Sequence, residues 1–384
     1  RMLIGSEDEG LTPEEIAEKY TRAYIEDTAA MNIQEPAVRP KATEHIPEMI
    51  AMIEDLIDKG HAYEADGMVY FDVDSFPDYG KLSKNTREAL KAGHRAETVV
   101  DPRRKHHYDF TLWRAARDKR LMKWDSPWGP GFPGWHIECS AMSLEHLGER
   151  FDIHTGGSDN IFPHHEDEIA QSEGALGHRV VGRWLHGHHL LADGRKMSKS
   201  AQNFYTVGDL RQRGFDPLAF RYLVLQSRYR GQMNFTWEAL ESAQRGLDKL
   251  RRHMADWAGA GAGPDVSEAG KALDARFGEA VGDDLDTPRA LVVVSELVSS
   301  DLPPAEKFHL LERWDGVLGL DLTRDVEAPK AELPEGAAAL IEQRERARQA
   351  KDWATADRMR QELAALGVSV TDTPAGPEWS ISPA

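Results

Sequence analysis

Apolar and polar positions alternate with a helical period over the first sixty residues. Residues 11–33 predict a helix with Thr12 as its N-cap, Pro13 in the first turn and Glu15 three residues after the cap. A second helix is predicted over residues 44–60, ending at a glycine. The start of the chain is therefore expected to be helical.

After residue 60 the spacing of apolar residues changes from a helical period to the shorter period of strands. Residues 61–73 predict a hairpin of two short strands around Asp66 and Gly67. Residues 74–133 are rich in turn-forming residues and predict an irregular insertion. Between residues 134 and 195, strand-like and helix-like segments alternate, which is typical of a mixed α/β domain.

Individual segments of this α/β region can be assigned. Residues 151–157 predict a strand that runs into a glycine turn. Residues 163–176 predict a helix that begins at Pro163, and residues 182–196 predict a strand or hairpin followed by a loop.

The chain beyond residue 205 is predicted to be mainly helical. Residues 242–258 predict one amphipathic helix, and the glycine-rich residues 258–270 predict a linker or loop. A final helical module is predicted over residues 339–367. The fold class expected from the pattern is an α/β domain followed by mainly α-helical domains.

Composition narrows the class of protein. The chain has 384 residues, 40% of them apolar and 29% charged, which is typical of a globular protein. No run reaches the roughly 20 apolar residues of a membrane helix, and no secretory signal is visible at the start. A single cysteine excludes a disulfide within the chain, so we expect a cytoplasmic protein.

The charge is unevenly distributed. The net charge is −18, which argues against a nucleic-acid partner. Residues 101–123, however, hold 8 basic and 3 acidic side chains. This segment is either a local RNA contact or a solvated surface, and composition alone does not decide between them.

Three residues form a candidate metal site. His164 and Glu168 are four residues apart, which places both on one face of a helix. With Cys139 they make an acceptable zinc ligand set that leaves one position open. A lone cysteine is more often a buried apolar residue, and the histidine can belong to a helix surface. Spacing does not show that Cys139 and His164 meet.

A candidate phosphate loop follows. Lys196 and Lys199 are three residues apart, flanked by small serines, with Met197 as an apolar anchor between them. Two ammonium groups on such a loop suit the oxygens of a triphosphate. A basic turn on the surface would look the same, although the pentapeptide KMSKS over residues 196–200 is far more specific.

KMSKS is a signature of class I aminoacyl-tRNA synthetases. Here it follows GWHIECSAM at residues 134–142 and DIHTGGSDNIFPHHEDEIAQSE at residues 152–173. That order and wording resemble the cysteinyl-tRNA synthetases. The likeness extends to DFTLW at residues 109–113 and to the tail, at residues 344–363 and 371–379. It therefore spans essentially the whole chain.

The resemblance implies roles for individual residues. Cys139, His164 and Glu168 match three of four zinc ligands of the family, and Trp135 matches the wall of the cysteine pocket. Further matches concern the ATP and anticodon sites. Lys199 with Lys196 would contact ATP; Gly156, Gly157 and Asp159 match a turn near its ribose; Arg348, Arg360, Asp372 and Trp379 match anticodon-reading positions.

One part of the family pattern is not found. The family opens with a strand, a zinc-ligand cysteine and an HIGH-type motif, whereas this sequence starts beyond them. HLGE at residues 146–149 and HGHH at residues 186–189 lie in the wrong places to replace that motif. We expect the sequence as given to be incomplete for catalysis.

The resemblance also implies a domain plan. It begins with the remainder of a Rossmann-type catalytic domain at residues 1–203, which carries a connective insertion at about 46–125. A stem-contact region at 204–245, a helical bundle at 246–330 and an anticodon-binding domain at 331–384 would follow.

The implied activity is ligation of L-cysteine to tRNA(Cys) with ATP, by a monomer that uses one zinc ion and Mg²⁺ with the ATP. Direct metal coordination would select a thiolate over a hydroxyl, which shape alone does poorly. Two alternatives remain open. One is a cysteine ligase that acts on a small amine, as in mycothiol synthesis, and the other is a non-catalytic tRNA-binding relative.

Overall fold

The computed structural model describes residues 5–6, 9–85, 101–116, 120–197, 203–258, 266–324, 326, 334, 336–373 and 376–381. Lys199 lies outside these residues. The chain divides into two compact units. Unit 1 comprises Arg1–Leu247, Lys271–Ser300 and Leu318–Leu320, and unit 2 comprises Asp248–Gly270, Asp301–Val317 and Asp321–Ala384. The finer domain plan given above remains a prediction.

The elements are numbered in chain order. The helices α1 to α12 are Pro13–Ala30, Ile46–Asp58, Trp135–Leu147, Glu166–Leu176, Val207–Gln212, Pro217–Leu225, Trp237–Trp257, Glu268–Gly282, Thr287–Ser299, Pro304–Leu318, Ala337–Gln349 and Trp353–Ala365. The strands β1 to β11 are Ala62–Ala65, Met68–Phe71, Phe110–Ala115, Gly131–Pro133, Phe151–Gly157, Val181–Gly187, Leu190–Ala192, Arg195–Lys196, Met233–Phe235, Val368–Thr373 and Gly376–Ile381.

The first helix begins as its sequence predicts. The side chain of Thr12 accepts a hydrogen bond from the backbone N–H of Glu15, whose carboxylate accepts one from the backbone N–H of Thr12. This reciprocal pair satisfies two N–H groups that the first turn of a helix leaves without partners. The predicted start of α1 is confirmed.

A four-stranded antiparallel sheet in the order β1-β2-β3-β4 forms one side of the main core of unit 1. The hairpin β1-β2 turns at Asp66 and Gly67, both with positive φ, as predicted. The expectation of an irregular insertion over residues 74–133 is wrong in part. Phe110–Ala115 is a strand whose residues Phe110, Leu112 and Trp113 are buried, because the turn-rich flanks hide a short apolar run.

Helices α2, α3 and α4 cover this sheet. Their buried side chains include Met49, Ile53, Ile137 and Ile169, which belong to the same core as the sheet residues. Burying these side chains contributes roughly 1.5–3 kcal/mol each. The core fixes α3 and α4 side by side; α3 carries Cys139, α4 carries Glu168, and His164 lies just before α4.

Strands β5 and β6 form a parallel pair in which Phe151 faces Val181 and Gly157 faces Gly187. Helix α4 connects them, so the unit is a βαβ crossover. The carboxyl ends of both strands therefore lie at one edge, where ligands bind in such sheets. The predicted mixed α/β character of residues 134–195 is confirmed.

A small three-stranded sheet in the order β8-β7-β9 holds the segment before KMSKS. Strand β7 pairs with β8 through a turn at Asp193 and Gly194, both with positive φ, and with β9 in parallel. The sequence predicted a strand or a hairpin here, and a hairpin is found. The pairing with β9, about forty residues further along the chain, was not predicted.

The C-terminal part of unit 2 is a helical pair followed by a hairpin. The single helical module predicted over residues 339–367 is two helices, because Lys351 takes a positive φ of 59° between α11 and α12. Asp352 then accepts a hydrogen bond from the backbone N–H of Thr355 and caps the second helix. The hairpin β10-β11 packs Val368 and Val370 against Ala337 and Leu363.

Within the described ranges, we find no helix with the length and apolarity that crossing a membrane requires.

Candidate active site

Three of the predicted residues converge. One ligand atom from each of Cys139, His164 and Glu168 lies within 4.8 Å of the others. Ligands of one tetrahedral zinc ion are roughly 3.3–3.8 Å apart, given bonds of about 2.0–2.3 Å. The three ligand atoms are therefore close enough to be candidate ligands of a single ion.

The local backbone explains how the ligands face each other. Cys139 lies in the second turn of α3, four residues after Trp135, whose ring centroid is 5.5 Å from that of His164. The regular α-helix α4 begins at Glu166 and not at Pro163 as predicted. Residues Ile161–His165 form a π-helical turn before it, and Phe162, with extended backbone angles, kinks the chain there. His164 nevertheless stays in the turn that precedes Glu168.

Burial shifts the pKa values of the ionisable groups in this site. Burial raises the pKa of the Cys139 thiol to about 12, and the carboxylates of Glu168 and Glu138 add to the effect. Burial of His164 opposes its protonation, but the adjacent Glu168 carboxylate outweighs burial and raises the pKa of His164. The site therefore has negative charge that a cation would compensate.

A second group of histidines surrounds Glu168. His154 and His165 bring their ring nitrogens within 4.8 Å of a Glu168 oxygen, and the Nδ1 atom of His165 lies 2.8 Å from Nε2 of His186. Burial and the neighbouring imidazoles lower the pKa of His165 to about 3, so this ring is neutral. The rings of His154 and His165 both pack against Trp184.

His154, His165 and His186 were not predicted as site residues from the sequence. The signal available was the strand pattern of residues 151–157, in which His154 is a polar residue at a partly buried position. Periodicity alone does not reveal that the strand side chain meets the start of α4, because that contact depends on the βαβ packing.

Buried carboxylates on both sides of the site fix α4 to the rest of unit 1. Glu166 accepts hydrogen bonds from the backbone N–H groups of Gly80 and Ser83 at 2.9 and 2.7 Å. Asp167 accepts a hydrogen bond from the hydroxyl of Tyr79 and lies 2.5 Å from Nδ1 of His136. All three carboxylates from Glu166 to Glu168 are at most 3% exposed.

The predicted ribose turn lies at the carboxyl end of β5. A Cβ atom on Gly156 would lie 2.5 Å from Cε1 of His165, so only glycine fits there. A Cβ atom on Gly157 would lie 2.4 Å from Oδ1 of Asp159. The close approach of the backbone to the His165 ring is therefore enough to explain the glycine at position 156, and no bound ligand is needed to explain it.

Of the two predicted phosphate lysines, the structure describes Lys196, which is exposed and ends β8. Met197 lines an apolar cavity of about 210 Å³ together with Leu190, Tyr205 and Phe235. This agrees with an anchoring role for that methionine.

The predicted anticodon residues differ in their exposure and in their contacts. Arg360 is exposed on α12, while Arg348 lies in the last turn of α11 with its guanidinium carbon 5.8 Å from the ring centroid of Trp353. Trp379 is partly buried against the core of the hairpin. Asp372 faces Pro377 across the hairpin, and its side chain lies outside the described part. Trp353, which is 56% exposed, was not singled out in the sequence.

Comparisons with known proteins match both ends of the chain. The family "tRNA synthetases class I (C) catalytic domain" matches residues 1–245, and the family "Cysteinyl-tRNA ligase anticodon binding domain" matches residues 330–379. A cysteine–tRNA ligase of Thermus thermophilus is 45% identical over 97% of this chain and 81% of its own length. The chain belongs to the cysteine–tRNA ligase family.

A second member of the family, from Burkholderia lata, is also 45% identical, over 98% of this chain and 78% of its own length. Among solved structures, a Mycobacterium tuberculosis methionyl-tRNA synthetase bound by methionyl-adenylate superposes with a TM-score of 0.53. It is 15% identical and covers 88% of this chain and 83% of its own length, so the likeness concerns the fold alone.

These matches confirm the fold class predicted from the sequence. The catalytic region is the Rossmann-type α/β domain of class I synthetases, and mainly helical domains follow it. The family assignment made from KMSKS and the two motifs around the metal ligands is confirmed as well.

Proposed function

We propose that this protein activates L-cysteine with ATP and transfers it to the 3′ end of tRNA(Cys). One observation carries the proposal most directly. Cys139, His164 and Glu168 converge beside Trp135, inside a domain that belongs to a cysteine–tRNA ligase family. A thiol, an imidazole and a carboxylate are suitable ligands for a borderline-soft cation such as Zn²⁺, which binds a sulfur ligand in preference to a hydroxyl.

We propose that this site holds one zinc ion. The buried Nδ1 atom of His164 has no hydrogen-bond partner among the described residues, which suits an atom that faces a cation. When bound, zinc supplies a Lewis acid that takes the cysteine thiol as a thiolate, for which a serine hydroxyl is a poor substitute.

The side chains of the chain itself orient this site. His154 lies 3.4 Å and His164 3.0 Å from the oxygens of Glu168, which fixes the carboxylate from two sides. Trp135 is 75% exposed and stands beside His164, so its indole can close one wall over a small substrate. Neutral His165 adds no positive charge to this group.

The chemistry requires no protein nucleophile. The carboxylate of cysteine attacks the α-phosphorus of ATP and the bond to pyrophosphate breaks. A hydroxyl of the terminal tRNA ribose then attacks the carbonyl and releases AMP. Positioning and charge stabilisation are the contributions of the protein.

We assign the nucleotide side of the site to two segments. Lys196 and Lys199 would hold the phosphates, with Mg²⁺ accompanying the ATP. Gly156, Gly157 and Asp159 would lie near the ribose, and their place at the carboxyl end of β5 supports this.

The tRNA side of the proposal rests on the C-terminal helices. Arg348, Arg360, Asp372 and Trp379 are the proposed anticodon contacts. To these we add Trp353, because an exposed indole beside a guanidinium offers a face on which a base can stack. We further propose that the protein acts as a monomer in the cytoplasm.

A ligase that joins cysteine to a small amine would share the activation step. The match of residues 330–379 to an anticodon-binding family favours tRNA as the acceptor. Pyrophosphate exchange does not separate the two functions. Supplying tRNA(Cys) or an amino-sugar acceptor to the same activated enzyme does, and only the tRNA is expected to be charged.

The test of the metal assignment uses the full-length protein. We expect one zinc ion per chain, and we expect Cys139→Ala to lose zinc together with discrimination against serine in pyrophosphate exchange. Ser143→Ala, in the same helix, is the control and should keep both. Zinc retained by Cys139→Ala, or unchanged discrimination after zinc loss, would contradict the assignment.

A further inference from the structure

A segment before β9 is attached to the turn between α8 and α9. Arg230 donates two hydrogen bonds to Asp284, from Nε at 2.5 Å and from a terminal nitrogen at 3.0 Å. The hydroxyl of Tyr229 donates a third to the same carboxylate at 2.6 Å. Arg228 forms an ion pair with Asp286. We call these four contacts the turn clamp.

The turn has an uncommon backbone conformation. Asp284 and Leu285 both have φ of 54°, in the left-handed region, which aspartate tolerates but a bulky residue such as leucine rarely adopts. Asp286, the next residue, caps α9 by accepting a hydrogen bond from the backbone N–H of Arg289. A turn of this kind persists only when its surroundings hold it, and here it directs Asp284 towards Arg230.

The clamped segment also supports the hairpin that leads to Lys196. The backbone N–H of His188 donates to the carbonyl of Tyr229 at 2.7 Å, just before β7. Strand β9 then pairs with β7, and β7 pairs with β8, whose last residue is Lys196. At the hairpin turn, the N–H of Gly194 donates to the side chain of Asn234 at 2.7 Å.

We infer that Asp284 is a positioning residue for Lys196: through Arg230 and Tyr229 it sets the place of β9, and thereby of the hairpin that ends at Lys196. The inference rests on the proposed role of Lys196 in holding ATP. The turn between α8 and α9 would then influence the activation step although it does not contact the substrate.

The geometry distinguishes the clamp from an ordinary surface ion pair. Exposed pairs usually contribute little because solvent screens them and long side chains lose freedom. Here the Arg230 guanidinium grips both oxygens, and the Tyr229 hydroxyl shares one of them. These two groups lower the pKa of Asp284 to about 2, so the carboxylate stays charged under any assay condition near neutrality.

A double-mutant cycle tests the inference by pyrophosphate exchange in the full-length protein. Asp284→Asn keeps the shape but removes the charge, and should lower kcat/KM for ATP about fivefold. The KM for cysteine should stay unchanged. In the Lys196→Ala background the same substitution should have less than about a 1.5-fold effect, because its target is already gone.

The chain offers a matched control. Arg276 of α8 and Glu296 of α9 form an equally bidentate pair, with side chains 49% and 40% exposed against 59% and 43% for Arg230 and Asp284. This pair joins α8 to α9, the two helices on either side of the clamped turn, but it is not one of the contacts of the turn clamp. Glu296→Gln should leave kcat/KM for ATP unchanged, and an equal loss in Glu296→Gln would overturn the inference.

Hydrogen exchange supplies a readout that is independent of catalysis. Asp284→Asn should raise the amide exchange of residues 186–197, while Glu296→Gln should not. If Lys196→Ala alone leaves pyrophosphate exchange unchanged, the lysine assignment fails, and the exchange data still decide whether the clamp holds the hairpin. Unchanged amide exchange, or equal losses from Asp284→Asn in both backgrounds, would show that Asp284 does not act through the hairpin.

Discussion

The hydroxyl of Ser140 donates a hydrogen bond to Oε1 of Gln171 at 2.6 Å, and both side chains are buried. Ser140 follows Cys139 on α3, and Gln171 lies three residues after Glu168 on α4. The bond therefore joins the two helices next to the point where they present the proposed metal ligands.

Removing this bond should weaken both the fold and the site. Ser140→Ala leaves Oε1 of Gln171 buried without a partner, which typically costs about 1–3 kcal/mol. Urea unfolding should show this loss, and zinc affinity should fall because α3 and α4 are less firmly held. Ser143→Ala should change the unfolding free energy by less than about 0.5 kcal/mol. Equal effects of the two substitutions would contradict the prediction.

Two glycines at the ends of β5 and β6 should respond differently to alanine. A Cβ atom on Gly156 would overlap His165, whereas one on Gly187 meets no atom within 4 Å. Gly156→Ala should therefore destabilise the protein by about 1–3 kcal/mol, as overpacking does. Gly187→Ala should be neutral or slightly stabilising in a strand. Chemical denaturation of both variants tests this, and similar unfolding midpoints would be inconsistent with the described packing.

Asp101 should give the protein a pH-dependent stability contribution. Its hydrogen bonds from Arg103 hold the pKa of this carboxyl well below its usual range, and a further bond comes from Tyr70. A lowered folded-state pKa adds stability above the unfolded pKa of about 3.9, and this stability is lost as pH falls. Asp101→Asn should cost up to about 1 kcal/mol at pH 7, and this difference should shrink below about pH 4. A difference that stays constant down to about pH 3 would rule out this linkage.

The C-terminal residues should affect tRNA charging and leave cysteine activation intact. Replacing Arg348 and Arg360 together with glutamine should lower aminoacylation at least tenfold, and Trp353→Ala should do so by a similar factor, since a stacked base is worth about 1–3 kcal/mol. Pyrophosphate exchange without tRNA should be unchanged. Arg346, paired with Glu342 on the same helix, provides a control in Arg346→Gln. Parallel loss of exchange and charging would indicate a folding defect.

The elements that were predicted best are those with local causes. The Thr12 cap, the Asp66–Gly67 turn and the spacing of His164 and Glu168 each depend on residues within a few positions of one another. The wording of the motifs also identified the family. Local patterns thus located the candidate site before its two helices were known to meet.

Features that depend on distant packing were missed. Nothing in the sequence around His154 or His165 shows that both reach Glu168, because β5 and α4 are brought together by the crossover. The strand Phe110–Ala115 was hidden among turn residues. The break at Lys351 separates the two proposed anticodon arginines onto different helices, which a continuous helical pattern conceals.

Glu166 holds the loop at residues 80–83 through hydrogen bonds from backbone N–H groups. This determines which substitutions the loop can accept. The carboxylate accepts N–H bonds from Gly80 and Ser83, so it does not read the side chains between them. Substitutions at residue 83 should therefore be widely tolerated in a library, with proline as the exception because it has no N–H. Lys81 is a separate case, because its side chain forms an ion pair with Glu173. Gly80 should stay fixed, since its φ is 96° and a Cβ atom would strike the carbonyl oxygen of Asn85. One buried acid can in this way hold a loop without contacting the side chain at residue 83.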